Sequence, residues 1–259
     1  MRKYGLIGYP LGHSFSKKYF TEKFIKENIT DCSYENIPLE NLDHFTELVQ
    51  SDNDLCGLNV TIPYKTSILG FLDKVETDAA EIGAVNVIKI LRQSDKIKLY
   101  GYNSDIAGIH DTLLPYIDKR VRNALVFGTG GSSKAVCYGL EKFGIKVDIV
   151  SRERKSGSLV YSDIDSAIIN TRQLIINATP LGMYPDVKTK PDINYRMLNK
   201  KHILFDLVYN PEITEFLRMG AEQGCTTLGG LTMLHSQAEK SWEIWNKEGA
   251  PSAAARLSP

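Results

Sequence analysis

The residues best placed to do chemistry lie in Asn59-Val60-Thr61-Ile62-Pro63-Tyr64-Lys65, which sets an amide, a hydroxyl and an amine within seven positions. The strand-like run 55–60 leads into it. Pro63 fixes a backbone angle and cannot donate to a ladder, so the chain must turn there. Lys65 is then expected to open a helix at the mouth of a cleft. A lysine held beside two neutral hydrogen-bonding groups can bind a small polar substrate and move a proton. A strand, a proline turn and a surface lysine would produce the same letters, and this segment alone leaves both readings open.

A second chemical segment is Gly128-Thr129-Gly130-Gly131-Ser132-Ser133-Lys134-Ala135. It follows the apolar run Ala124-Leu125-Val126-Phe127 and precedes a helical pattern with Val136, Leu140 and Phe143 on one face. In a strand–loop–helix setting, glycines allow a tight turn and close backbone approach to a pyrophosphate, whose charge meets the helix N-terminus. Ser133 stands where a third glycine is usual, and it is still small. The next strand, 145–150, ends in Ser151-Arg152-Glu153-Arg154-Lys155. An NAD-binding unit usually places an acid there for the ribose 2′-hydroxyl. Three cations in four positions suit a 2′-phosphate instead. NADP is therefore the favoured cofactor and, because of Glu153, NAD the second choice.

These segments need elements to hold them. Strand patterns at 3–8, 33–37 and 55–60 alternate with helical ones at 16–28, where Phe20, Phe24 and Ile25 form a stripe, and around Leu42, Phe45, Leu48 and Val49. Residues 85–90 and 96–100 form a hairpin turning at 92–95. A helix capped by Asn103-Ser104-Asp105 runs to about Leu114, and β-α units follow with strands at 124–127, 145–150, 174–176 and 203–207. The last helix, 231–246, carries Trp242, Ile244 and Trp245 and is expected to pack back on the first unit. The tail 249–259 is expected to fray. The fold class is α/β with two domains. An N-terminal substrate domain with a mainly parallel sheet spans 1–102 and is completed by 238–259. A Rossmann-type dinucleotide-binding domain spans 103–237, with a cleft between the two.

Composition narrows the function classes. The 259 residues balance 31 basic against 31 acidic groups, so nothing draws the whole chain to nucleic acid or an anionic membrane. No apolar run nears the ~20 residues that cross a bilayer, and the N-terminus reads as a strand, too short in its apolar part for a signal peptide. Cys32, Cys56, Cys137 and Cys225 are scattered, as expected of free thiols in a reducing cytoplasm. The five histidines show no ligand spacing, so no metal site is expected. A small-molecule substrate is the expected partner, and the chain a monomer or homodimer.

Separated segments in one order resemble the shikimate dehydrogenase family along nearly the whole chain. They are Gly8-Tyr9-Pro10-Leu11-Gly12-His13-Ser14-Phe15-Ser16, Asn59 to Lys65, Gly83-Ala84-Val85-Asn86, Gly101-Tyr102-Asn103-Ser104-Asp105, the glycine loop, Asn177-Ala178-Thr179-Pro180-Leu181-Gly182-Met183, Asp206-Leu207-Val208-Tyr209-Asn210-Pro211, and Gly229-Gly230-Leu231-Thr232-Met233-Leu234-His235-Ser236-Gln237-Ala238. The resemblance implies reversible NADPH-dependent reduction of 3-dehydroshikimate to shikimate, a step of chorismate and aromatic amino acid biosynthesis. It implies Lys65 and Asp105 as the catalytic pair. Ser14 and Ser16 match the carboxylate-binding serines, and Asn59, Thr61, Asn86 and Gln237 the ring-hydroxyl binders, with Tyr209 near the carboxylate. Gly128, Thr129, Gly130, Gly131, Ser132, Ser133, Ser151, Arg152 and Arg154 match the pyrophosphate and 2′-phosphate positions. Thr179, Gly182, Val208, Gly230 and Met233 match those lining the ribose and nicotinamide, and Leu234 an apolar contact beneath it.

Each residue also has an ordinary explanation. Ser14, Ser16 and Asp105 suit a helix N-terminus, and Leu234 suits a core. The chain departs from the family pattern at Lys17, Phe20 and Thr21, which bears on how the helix beneath the serines is oriented, and at Ser151 and Glu153, which bears on affinity for the 2′-phosphate. The alternatives are a quinate/shikimate dehydrogenase using both NAD and NADP, and a non-catalytic ligand-binding relative, against which the intact Lys65 and Asp105 argue. A methylenetetrahydrofolate dehydrogenase fits less well, having no need of paired serines.

Overall fold

The computed structural model describes residues 1–11, 15–93, 96–250 and 254–255. The chain divides into two compact units, Met1–Ser104 with Ala238–Pro259, and Asp105–Gln237.

The first unit begins β1 (Arg2–Gly8), α1 (Phe15–Lys26), β2 (Cys32–Pro38), α2 (Phe45–Ser51) and β3 (Leu55–Val60). A 3-10 helix (Ser67–Phe71), β4 (Lys74–Glu76), α3 (Thr77–Ile82) and the hairpin β5 (Val87–Gln93) and β6 (Lys96–Tyr102) follow. The second unit runs α4 (Asp105–Leu113), β7 (Asn123–Phe127), α5 (Gly131–Lys142), β8 (Lys146–Ser151), β9 (Ser158–Val160) and α6 (Ser166–Thr171). It continues with β10 (Leu174–Asn177), β11 (Ile203–Asp206), α7 (Glu215–Glu222) and β12 (Thr226–Leu228). The division between units falls within α8 (Leu231–Asn246), and β13 (Ala254–Ala255) ends the described chain.

In the first unit the sheet order is β13-β4-β6-β5-β3-β1-β2. β1 pairs in parallel with both β2 and β3, and the hairpin joins antiparallel to β3. Alternation along β1 sends Tyr4 and Leu6 to one face and Ile7 to the other, as period-two geometry requires. One face packs Phe45, Val49, Leu58 and Ile68. The opposite face packs an aromatic cluster of Tyr4, Phe20, Phe24, Tyr34 and Trp245. Trp245, near the end of α8, stacks on Tyr4 with centroids 4.7 Å apart, and its indole N–H donates to the Ile88 carbonyl at 3.0 Å. Only glycine fits at position 57, because a Cβ there would run into that indole.

The second unit's sheet is wholly parallel, in the order β12-β11-β10-β7-β8-β9. Counted from β7, this is the classical dinucleotide-binding order. Strands covered on both faces are apolar throughout, and Leu125, Val126, Phe127, Leu174, Ile175, Ile176, Leu204 and Phe205 are all fully buried.

Several expectations need correction. Lys65 does not open a helix: it lies in a turn, and the helix that follows is a short 3-10 one starting at Ser67. Ile25 is 74% exposed, so the buried face of α1 is carried by Phe20 and Phe24 without it. Arg92 is paired to Ile97 inside the hairpin ladder and so belongs to β5 and not to the turn. The Ser104 hydroxyl bonds Asn86 and Ser241, a role different from capping α4. In the tail, Ala254–Ala255 pairs antiparallel with β4. No helix among the described residues is long and apolar enough to cross a membrane.

Candidate active site

In the first unit the site grows from the C-terminal end of β3. After Val60 the chain leaves the sheet, and the Tyr64 N–H donates to the Thr61 carbonyl at 2.9 Å, closing the turn that Pro63 enforces. Lys65 follows, half-buried, and its carbonyl accepts the Val85 N–H at 2.7 Å. The turn is thereby tied to the segment that delivers Asn86. Thr61 is half-buried, with its backbone N–H on the Ile7 carbonyl at 2.9 Å.

Asn59 and Asn86 meet directly. The Asn59 Nδ2 donates to the Asn86 carbonyl at 3.3 Å and to Ser241 Oγ at 3.0 Å. The Tyr34 hydroxyl donates to Asn59 Oδ1 at 2.8 Å. Asn86 is almost fully buried. Its Oδ1 accepts the Ser104 N–H at 2.7 Å, and its Nδ2 donates to Ser104 Oγ at 3.1 Å. Ser16, half-buried on α1, reaches the Tyr34 phenol oxygen. Burial is the larger influence on that phenol and drives its pKa far up, so Tyr34 stays a neutral donor. The structure thus brings Ser16, Asn59, Lys65 and Asn86 together. Ser14 lies outside the described residues.

The helix that carries Ser16 is fastened by Phe20 and by its neighbours Tyr19 and Lys23. Phe20 is fully buried and stacks on Tyr34 with centroids 4.6 Å apart. Lys23 bonds Glu239 of α8 at 2.8 Å, and the Tyr19 hydroxyl bonds the same carboxylate. Lys17 is exposed, and the Thr21 hydroxyl turns back to the Lys17 carbonyl at 2.8 Å.

In the second unit the site residues gather at the C-terminal ends of β7, β8, β10 and β11. Gly128 has φ +111°, and a Cβ there would meet the Ala178 carbonyl oxygen at 2.9 Å and Thr179 Cγ2 at 3.2 Å, so the two loops touch through a glycine. Thr129 and Gly130 are exposed, Gly131 and Ser132 half-buried. A Cβ at Gly130 would meet nothing within 4 Å, which leaves open space just before α5, where a phosphate can approach the helix's first N–H groups. Ser133 is buried and donates to the Gly128 carbonyl at 2.6 Å, stapling the loop in place of a third glycine.

Ser151, the last residue of β8, is buried, while Arg152, Glu153 and Arg154 are exposed. Arg154 pairs with Asp163 at 2.7 Å and holds that carboxyl below the usual aspartate range. Arg152 and Glu153 make no ion pair among the described residues. The loop after β10 is built on Asn177, whose Oδ1 accepts the Thr179 hydroxyl at 2.6 Å and whose Nδ2 donates to Asp206 at 3.0 Å. Gly182, at φ +90°, donates its N–H to Thr189 Oγ1 at 2.8 Å. Val208 is buried and its carbonyl accepts the Gly230 N–H at 3.3 Å; Met233 and Leu234 are buried at the start of α8. Asp105 is buried at the start of α4, and Tyr209 and Gln237 are half-buried. Burial pushes the Tyr209 phenol up. Among the described residues no cluster of histidine, cysteine or carboxylate side chains has the makings of a metal site.

The known proteins to which this chain is similar are shikimate dehydrogenases. Residues 6–88 match the family model described as the shikimate dehydrogenase substrate binding domain. The shikimate dehydrogenase (NADP(+)) of Clostridium beijerinckii is 37% identical, over 95% of this chain and 93% of that one. That of Methanococcus aeolicus is 36% identical, over 93% and 90% respectively. The crystal structure of shikimate dehydrogenase from Aquifex aeolicus superposes with a TM-score of 0.82 at 31% identity, covering 95% of this chain and 92% of that one. With curated relatives of this identity along nearly its full length, the chain belongs to the shikimate dehydrogenase family.

Proposed function

We propose that the chain catalyses the reversible reduction of 3-dehydroshikimate to shikimate with NADPH, as a cytoplasmic biosynthetic enzyme acting on a small molecule with no nucleic-acid or membrane partner. The observation that carries the reading is the joining of Lys65 to Asn86 through the 2.7 Å Val85–Lys65 bond, with Asn59 bonded to Asn86 alongside. The backbone that carries Lys65 is thereby fixed to the segment that carries Asn86, whose carbonyl holds the Asn59 carboxamide. The second unit supplies the open glycine loop before α5 and the Thr179, Gly182 and Val208 positions, which fit a dinucleotide by their backbone N–H groups and small side chains.

When bound, the reduced nicotinamide supplies a hydride to the ketone. The chain's own residues handle charge, proton and orientation. Negative charge builds on the ketone oxygen as it is reduced, and the Lys65 ammonium stabilises it and delivers the proton. Asp105 is the second member of the catalytic pair, the carboxylate that accepts from the reacting hydroxyl. Asn59, Thr61, Asn86 and Gln237 bind the ring hydroxyls, and Ser14, Ser16 and Tyr209 the carboxylate. Neutral groups of this kind discriminate strongly, because a substrate lacking a hydroxyl leaves buried polar atoms unpaired.

Arg152 reads the 2′-phosphate. Arg154 joins it only by giving up Asp163, and Glu153, with no cation partner among the described residues, leaves NAD a weaker second cofactor. The test is to supply NADPH and 3-dehydroshikimate and identify the product chromatographically. Stoichiometric shikimate supports the reading; NADPH left unconsumed by folded protein removes it.

A further inference from the structure

The polar atoms around Asn59 form one chain within the first unit: Tyr34, Asn59, Ser241, Ser104, Asn86. Its hydrogen-bond directions can be worked out, because two members have only one role. The Asn86 backbone carbonyl can only accept, so the Asn59 side-chain atom beside it must be the nitrogen. The Ser104 backbone N–H can only donate, so the Asn86 side-chain atom facing it must be the oxygen. Both carboxamides are thus fixed against flipping. On Asn59 the two N–H groups go to the Asn86 carbonyl and to Ser241 Oγ, and one Oδ1 lone pair takes the Tyr34 hydroxyl proton. Asn59 retains one capacity for a ligand, the second lone pair of Oδ1.

Ser241 is fully buried on the inner face of α8, within 3.2 Å of Ser104 Oγ. Tyr34 is 4% exposed and its ring is held by Phe20. A hydroxyl buried this deeply is expensive unless satisfied, and each here bonds the Asn59 carboxamide itself.

We propose that Tyr34 and Ser241 are positioning residues that make Asn59 a pure hydrogen-bond acceptor, so that it recognises a ring position by the proton of a hydroxyl. This rests on the reading of Asn59 as a substrate-binding residue. Without the Ser241 hydroxyl one Asn59 N–H loses its partner, and without the Tyr34 hydroxyl Oδ1 loses one; the Asn86 carbonyl still fixes which end is the nitrogen, but the carboxamide is less firmly aimed at the ligand. Neither residue touches substrate in this account, and the reacting carbon and the cofactor are unaffected.

The experiment compares Tyr34→Phe, Ser241→Ala, Asn59→Ala and the double variants of Asn59→Ala with each of the others, using shikimate and NADP. Tyr34→Phe keeps the ring that stacks on Phe20, and thermal melts check that each variant is folded; should one fail to fold, the other carries the test. The expected result is a KM for shikimate raised about tenfold in each single variant, the size of one lost hydrogen bond. kcat and the KM for NADP stay within about threefold, and the double variants are no worse than Asn59→Ala alone. Shikimate KM unchanged in Tyr34→Phe and Ser241→Ala, with Asn59→Ala impaired, would overturn the proposal and leave the reading of Asn59 standing. Additive double variants would overturn it equally. An unimpaired Asn59→Ala would remove the reading itself and the proposal with it.

Discussion

The backbone N–H of Val85 donates to the carbonyl of Lys65 at 2.7 Å. Twenty residues apart in sequence, the two segments that carry the amine and a buried carboxamide are tied to each other through the main chain. Side-chain changes at Lys65 therefore leave the frame of the site in place. Lys65→Ala is expected to lower kcat by about two to four orders of magnitude, the range for loss of a proton donor that also stabilises charge, with the KM for shikimate changed only a few-fold. Steady-state kinetics on both substrates check this; undiminished turnover would take the role away from Lys65.

The cations after β8 are not equivalent. Arg154 is engaged with Asp163, whereas Arg152 is not paired among the described residues. Arg152→Ala should raise the KM for NADP about tenfold or more while moving that for NAD less than about threefold, since a charge-assisted contact to the 2′-phosphate is lost. Arg154→Ala should have the smaller effect. Equal effects on the two cofactors would show that Arg152 does not read the phosphate.

Phe20 sits among Tyr19, Phe24, Tyr34 and Trp245, with no exposed surface. Phe20→Ala removes a fully packed ring and should destabilise the protein by about 3–5 kcal/mol, read from urea unfolding followed by tryptophan fluorescence. Because Phe20 stacks on Tyr34, the shikimate KM should rise as well. A loss below about 1 kcal/mol would mean the helix bearing Ser16 is held chiefly by Lys23 and Tyr19 on Glu239.

Asp206 gives a pH signature. It is fully buried, and burial pushes its carboxyl up to about 6 despite donors from Thr214, Val208 and Asn177. The folded state then holds this proton more tightly than the unfolded chain, whose aspartates titrate near ~3.9. Stability from this group is greatest below the unfolded value and is lost as pH rises to about 6. The gap in Tm between the native protein and Asp206→Asn should therefore shrink from pH ~4 to ~6.5 and stay flat above. A gap that widens over that range would show that the three donors outweigh burial.

Much of this was legible in the sequence where a pattern is local. β3 and α8 fall at the expected residues because an apolar run and a 3.6-residue stripe, Leu234, Ala238, Ser241 and Trp245, are both short-range signals. The glycine loop was legible from its strand–loop–helix setting. The stretch through the 3-10 helix, β4 and α3 was not, since elements of three to six residues are too short to show a period. β9, β12 and β13 escaped for the same reason. Tyr34, Ser104 and Ser241 escaped because their bonds span 25, 18, 137 and 182 positions. Ser241 did leave one trace, a small polar residue on an otherwise apolar helix face. The turn at Lys65 was foreseeable from Pro63, but which structure follows it depends on the Val85 contact, which no local pattern announces.

The most direct measurement is absorbance at the reduced-nicotinamide band, with purified protein, shikimate and either NADP or NAD. Rapid growth is expected with NADP, much slower growth with NAD, and growth slowed about a hundredfold or more with NADP in Lys65→Ala. No growth with either cofactor from folded native protein would contradict the proposed function.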